Sequence, residues 1–386
     1  MLNMPTLPYW RLSNFYFFYF ASLGALAPYL GLYLQSLQFN PDEIGELIAI
    51  TMATRIIAPN IWGWLADHLG KHIILVRFGS ILAFLCFTGI FFYQSYLGLA
   101  IMLGIFSFFW NAVLPQVEVT TLAYLGKNTY YYSYIRLWGS VGFIVAVIIF
   151  GWLLEYYSIN LFPFVVSVLF FMISISSFFI SEYPTQPTTE IKHSLRHVLC
   201  HSKVLILFLV CFLMQASHGP YYTFYTIYLE QYHYNRTLIG QLWALGVIAE
   251  VLTFLIMHRL IHRFGLRTLL ITSLILTAIR WLLIGYGIEW ISILLIAQLL
   301  HAASFGLYHG VSIHFIHRYF VGHLRGRGQA LYVSISFGMG GAMGSLLSGY
   351  TWHSMGAQFS YTFASLACVI AVWLAWRWVG HELNSH

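Results

Sequence analysis

Twelve stretches of about twenty or more mostly apolar residues follow one another along the chain. They lie near 11–36, 41–66, 72–94, 96–124, 132–155, 159–181, 203–229, 236–261, 267–287, 290–317, 328–351 and 357–379. A helix of that length crosses the roughly 30 Å hydrocarbon core of a bilayer. Lipid offers the backbone no hydrogen-bond partners, so only helices or a closed barrel can span it. The pattern predicts an all-α membrane protein of twelve transmembrane helices. Charge agrees: 386 residues contain 18 Lys and Arg and 12 Asp and Glu, and 60% are hydrophobic. Soluble domains are about 25% charged. A soluble enzyme, a nucleic-acid binder and a disordered chain are thereby excluded, and the net charge of +6 is too sparse to make a basic face.

The turns between runs are short, so successive helices should be antiparallel neighbours. One connection differs. Residues 182–202 are polar, with Pro184, Pro187, Lys192 and Arg196, and lie at the chain's middle. They read as a linker between six-helix halves at 1–181 and 203–386. Basic residues at the turns lie almost all on one side, among them Lys71, Arg77, Lys127, Arg263, Arg267 and Arg325, against Arg236 alone on the other. The positive-inside rule then places both termini and the linker in the cytoplasm and the chain in the cytoplasmic membrane. No cleavable signal peptide is read at the start. Cys86, Cys200, Cys211 and Cys368 show no disulfide or metal spacing.

The halves repeat. Ile44-Gly45-Glu46-Leu47 recurs as Ile239-Gly240-Gln241-Leu242, 195 residues later, and the same offset pairs Arg55 with Glu250 and Gly70 with Gly265. Gly142 and Gly151 recur as Gly340 and Gly349, and Pro28-Tyr29 as Pro220-Tyr221. Parallel repeats place a binding site at their interface near the midplane.

The turn Gly63-Trp64-Leu65-Ala66-Asp67-His68-Leu69-Gly70-Lys71-His72 resembles the signature loop of the major facilitator superfamily. Gly63 would let helices approach, Gly70 would make the turn, and Asp67 could cap a neighbouring helix. The sequence departs at His68, Lys71 and His72, where the family has mostly Arg or Lys. The matching turn around His262-Arg263-Phe264-Gly265 lacks the acid, so a conformational latch should lie mainly in the first half. Arg136-Leu137-Trp138-Gly139-Ser140-Val141, Tyr221-Tyr222 after His218, Trp243 to Val251, Arg280-Trp281, His301 and His309 look like the phenylpropionate permease branch of that superfamily. The resemblance implies two pseudo-symmetric six-helix bundles and a monomeric, proton-coupled importer of a small organic solute such as an aromatic acid.

An ionisable group at the bilayer centre costs about 2.5–3.5 kcal/mol or more. Five lie within the predicted helices: Arg55, Glu118, Arg136, Glu250 and Arg280. Glu118 and Arg136 flank Lys127 by nine residues each, and Glu250 and Arg280 flank Gly265 by fifteen, so each pair should share a depth. His301 joins Glu250 and Arg280 in one layer near the midplane. The layout is similar to that of lactose permease relatives, which implies roles in solute binding and proton coupling for Glu118, Glu250, Arg136, Arg280 and His301. Those relatives carry a Glu one turn after the histidine, where this chain has Ser304. Glu250 then becomes the proton carrier, switched by movement of Arg280. The competing reading makes Glu118–Arg136 and Glu250–Arg280 static ion pairs that fix helix register. Arg55 would attract an anionic solute or pair with an acid.

Seventeen histidines show no metal-ligand spacing, and no metal or cofactor is expected. His218 and His309 fall on helices expected to line a cavity, although either could be a satisfied core residue. Tyr29 and Tyr222 follow the repeated prolines, which loosen helices, and could stack on an aromatic solute. Three other functions stay open: a proton-driven efflux antiporter, a sugar or nucleoside symporter, and a multi-spanning enzyme. No nucleophile–base constellation supports the last.

Overall fold

A computed structural model of the chain describes residues 7–126, 128, 130–183, 198–199, 201–322 and 324–380. The first half consists of α1 (Tyr9–Ser36), α2 (Pro41–Leu69), α3 (His72–Phe91), α4 (Tyr96–Leu125), α5 (Tyr131–Tyr156) and α6 (Ile159–Phe178). The second consists of α7 (Ser202–Gln231), α8 (Arg236–Phe264), α9 (Leu266–Tyr286), α10 (Ile291–Tyr319), α11 (Leu324–Met355) and α12 (Ala357–Trp378). Each apolar run is one of these helices. The helix α11 begins four residues earlier than hydropathy suggests, because its first turn, Leu324-Arg325-Gly326-Arg327, is polar. Most of the 182–202 linker, with Lys192 and Arg196, lies outside the described residues, as does Lys127. Large apolar side chains stand bare on the outer surface, Leu252, Leu255, Leu366 and Ile370 among them, as lipid contact requires.

Local signals set the helix ends. The Asn40 N–H at the start of α2 donates to the Glu43 carboxylate at 2.8 Å. At the equivalent start of α8, the Asn235 side chain accepts from the Leu238 N–H at 2.8 Å. Gly70 ends α2 at φ +63 and donates to Ala66 O. The start of α3 is capped from an unexpected place. Glu182, just beyond α6, accepts the backbone N–H of His72 at 2.9 Å and of Ile73 at 3.0 Å. Asp67, expected to cap such an end, is exposed and has no hydrogen bond among the described residues. Glu182→Ala should fray the first turn of α3 by about 1 kcal/mol, read as faster hydrogen exchange at His72 and Ile73.

The up-and-down order puts both chain ends at one face of the bundle, here the terminal face; the turns 36–41, 91–96, 156–159, 231–236, 286–291 and 355–357 form the far face. The halves meet through α2 with α11 and α5 with α8, joined by α1 with α7. Two crossings near the far face bring backbones together, and glycine makes both possible. A Cβ on Gly45 of α2 would lie 2.7 Å from Ser345 O and 2.8 Å from Gly349 Cα of α11. A Cβ on Gly240 of α8 would lie 2.4 Å from Val147 O of α5, and one on Gly151 would lie 3.2 Å from Gly240 Cα. The two crossings are repeat mates. Gly45 corresponds to Gly240, and Gly349 to Gly151, so the internal repeat is visible as a pair of equivalent contacts. Polar bonds close the same face. The Arg236 N–H donates to Glu155 at 2.6 Å and its guanidinium to Leu154 O at 2.8 Å. His353 meets Asp42 at 3.0 Å, and Tyr350 donates to Glu46. Toward the terminal face the last bond between halves, among the described residues, is Asn60 Nδ2 to Ser334 Oγ at 3.3 Å. Among the described residues, most of the hydrogen bonds between the halves lie at the far face.

Candidate functional site

The second half assembles the site around a broken helix. Pro220 has no N–H to continue the ladder, and α7 divides into Ser202–Ser217 and Gly219–Gln231 at His218. Gly219 lies against α11, where a Cβ would stand 2.1 Å from Gly344 O. By contrast, α1 runs unbroken through Pro28, so the two repeated prolines have different consequences. At the break the His218 ring nitrogen Nδ1 lies 2.8 Å from Met214 O, and the ring meets Trp281 edge-on at 4.8 Å. Its Nε2 is buried without a partner. Tyr222 stacks on His218 at 5.7 Å and on Trp243 at 6.2 Å.

Two glycines draw α8 and α10 together. A Cβ on Gly246 would lie 3.1 Å from Gln298 and 3.3 Å from the His301 ring, and one on Gly306 would lie 3.2 Å from Glu250 Cγ. Glu250 is thereby set beside His301, Oε2 to Nε2 3.7 Å, longer than a hydrogen bond. Directly after His301, residues Ala302–Leu307 form a π-helical segment, and Val333–Gly340 of α11 forms another. Such insertions cluster where function displaces the regular ladder.

Arg280 of α9 is fully buried. Its Nε donates to Ala297 O at 2.9 Å and Nη1 to Ser304 Oγ at 2.8 Å, so the guanidinium bridges the start of the π segment. The same plane lies over the Tyr221 ring at 4.3 Å and the Trp281 ring at 4.7 Å. Among the described residues Nη2 has no hydrogen-bond partner, nor does His301 Nδ1. Among the described residues neither Glu250–Arg280 nor Glu118–Arg136 forms an ion pair. The static-pair reading is corrected here: equal depth does not mean equal azimuth. Arg280 turns toward α10 and α7, while Glu250 turns toward His301. Ser304, in the place where an acid was noted missing, is the partner of Arg280.

The first half contributes a second cluster. Tyr132 donates to Glu118 at 3.1 Å, and Arg136, one turn further along α5, lies over the Phe20 ring at 3.7 Å. Arg55 donates to Asn111 Oδ1 at 3.3 Å. His309 holds the Tyr332 hydroxyl at 3.0 Å and lies on the Phe305 ring, which also lies on His301.

Tyr29 stands elsewhere. It is buried in the α5–α8 crossing, donates to Val147 O at 3.2 Å, and is within 3.1 Å of where a Gly240 Cβ would stand. It belongs to the far-face seal rather than to the site around Arg280. In the loop motif, a Cβ on Gly63 would meet only Gln116 Nε2, at 3.9 Å, so no helix approaches Gly63 closely in this conformation. Lys71 leads into α3 as an exposed residue. Sequence reasoning passed over Gln298, which accepts from Tyr221 at 3.0 Å and donates to Tyr225 at 2.6 Å. A neutral amide carries no hydropathy alarm, although its place one turn before His301 was a usable signal.

Known proteins were compared with this arrangement. The sequence is 25% identical to the probable 3-phenylpropionic acid transporter of Escherichia coli (strain K12), over 91% of this chain and 93% of that one. It is 24% identical to the maltose permease of Geobacillus stearothermophilus, over 93% and 91%. The fold matches the crystal structure of the nucleoside transporter NupG with a TM-score of 0.82 at 16% identity, over 98% and 100% of the two chains. The model of the MFS_1-like family matches residues 9–363, and with twelve spanning helices in two related halves the chain belongs to that family of membrane transporters.

Proposed function

We propose that the protein is a proton-coupled symporter that takes up a small organic solute with an anionic group and an aromatic or similarly flat body. The observation that carries this reading is Arg280. A fully buried guanidinium keeps Nη2 unpartnered among the described residues and lies against Tyr221 and Trp281, while the Glu250 carboxylate has no cationic side chain bonded to it among those residues. A buried charge without a partner is costly, so the group is suited to receive an anion that comes and goes. The rings offer stacking surface, and the name of the Escherichia coli relative fits such a solute. Glu250 beside His301 would carry the proton, with Arg136 sharing in the coupling. Arg55, Glu118, His218, His309 and Tyr222 would shape the solute site, and Gly63, Asp67, Gly70 and Lys71 the loop that closes the terminal face.

With the termini in the cytoplasm of a bacterial cell and the chain a monomer in the cytoplasmic membrane, the described conformation is open inward. The halves, 1–181 and 203–386, would rock against one another, parting and rejoining the glycine crossings. The name of the maltose permease relative favours a second reading, a sugar symporter, for which Gln298 and Asn111 would supply neutral donors. The reading is tested in proteoliposomes. Glu250→Gln should abolish solute accumulation driven by an imposed pH gradient while exchange of solute across the membrane persists. Uphill accumulation at the normal rate would refute the proton role. A gradient of the opposite sign that alone drives flux would instead identify an antiporter.

A further inference from the structure

A hollow of about 500 Å³ opens sideways between α1, α5 and the end of α6 near the terminal face. Its rim carries Trp10, Arg11 and Trp138, and its floor Phe17, Phe18 and Phe179. Trp10 is 68% exposed and meets Trp138 edge-on at 5.6 Å. The Trp138 indole N–H donates to Tyr9, so its ring is held in place. Arg11 is exposed, with one long bond from Nη1 to Phe179 O at 3.4 Å. Ser13, at the inner wall, is 2% exposed, and its hydroxyl has no partner. Elsewhere on α1 the serines bond back to their own helix, Ser22 to Tyr19 O and Ser36 to Tyr33 O. Ser13 does not. The hollow ends where α1 and α5 touch, with Phe17 O against Gly142.

We propose that this hollow holds one anionic phospholipid, its phosphate between Arg11 and the Ser13 hydroxyl and an acyl chain on the phenylalanine floor. Indole rings and a basic side chain at the membrane boundary suit a headgroup. A buried hydroxyl that declines its own helix is free to donate to a phosphate oxygen. None of the eight lining residues is acidic, so nothing repels the anion. The site lies apart from the Arg280 layer and does not depend on what is transported.

Native mass spectrometry of the full chain in detergent tests the proposal, with palmitoyl-oleoyl phosphatidylglycerol and the matching phosphatidylcholine titrated separately. The chain should retain one phosphatidylglycerol about fivefold more tightly than phosphatidylcholine, the effect of one interfacial cation. Arg11→Gln should remove the preference and Arg11→Lys should keep it. Ser13→Leu, which fills the hollow, should weaken both lipids; if that variant fails to fold, the Arg11 pair still decides. Equal retention of the two lipids by the natural chain would overturn the proposal, as would a preference unchanged in Arg11→Gln. Displacement of the lipid by millimolar inorganic phosphate would show an ion site in place of a lipid site and would also overturn it.

Discussion

A Gly240→Leu chain is expected to insert in the membrane and transport almost nothing. Gly240 crosses α5 where Val147 O leaves 2.4 Å for a Cβ. A leucine there cannot be accommodated by rotating a flexible neighbour, because the obstacle is backbone. Overpacking of this kind costs about 1–3 kcal/mol or more, all of it in the conformation with the far face closed. A shift of that size moves a two-state equilibrium by one to two orders of magnitude, so uptake should fall at least tenfold. Gly45→Leu should act alike, since its crossing with α11 is the repeat mate. Gly326→Ala is the control, because its new methyl would meet nothing within 4 Å. Maleimide labelling of a cysteine at Ile227, buried behind Gly31, should rise in both leucine variants when reagent is added from the far face. Normal uptake in either one would show that closure does not depend on these crossings.

Arg280→Lys should lower solute affinity about a hundredfold despite retaining the charge. The guanidinium makes two bonds from one plane, to Ala297 O and Ser304 Oγ, while the same plane lies over two rings. An ammonium is a point charge with neither the fork nor the flat face. Ser304→Ala removes one of the two bonds and should cost about tenfold, the value of a hydrogen bond to a charged group. Solute-dependent thermal shifts on purified protein measure both, once a screen has found a solute that binds the natural chain. An Arg280→Lys chain that keeps its affinity would place the anion elsewhere.

The helix count was legible because lipid leaves an apolar run so few alternatives. The repeat was legible too, but only as a repeat. Nothing in a linear pattern says that Gly45 meets Gly349, or that Gly151 meets Gly240, since which helix crosses which is a matter of three-dimensional order. Hairpin arithmetic put Glu250, Arg280 and His301 at one height and was silent on rotation about the helix axis. That is why the two charges of the layer were paired on paper and are apart in space. The π segments at Ala302 and Val333 were invisible for a related reason. They shift hydrogen bonds by one residue and leave hydropathy unchanged. Asp67 and Glu182 show the limit of motifs: the motif carried the acid, while an unremarked residue 115 positions later made the cap.

The two glycine crossings have a consequence for leakage. Because they are equivalent under the axis that relates the halves, any rotation about that axis loosens both at once. A half-unfastened state, with one seam parted and the other shut, would let water and ions slip past without solute, and the symmetry disfavours it. Tyr29 enters only one of the two crossings, so the match is imperfect on that side alone. Its phenol bonds within the first half, to Val147 O, so the polar fastenings across the seams stay matched: Arg236 to Glu155 at α5–α8 and His353 to Asp42 at α2–α11.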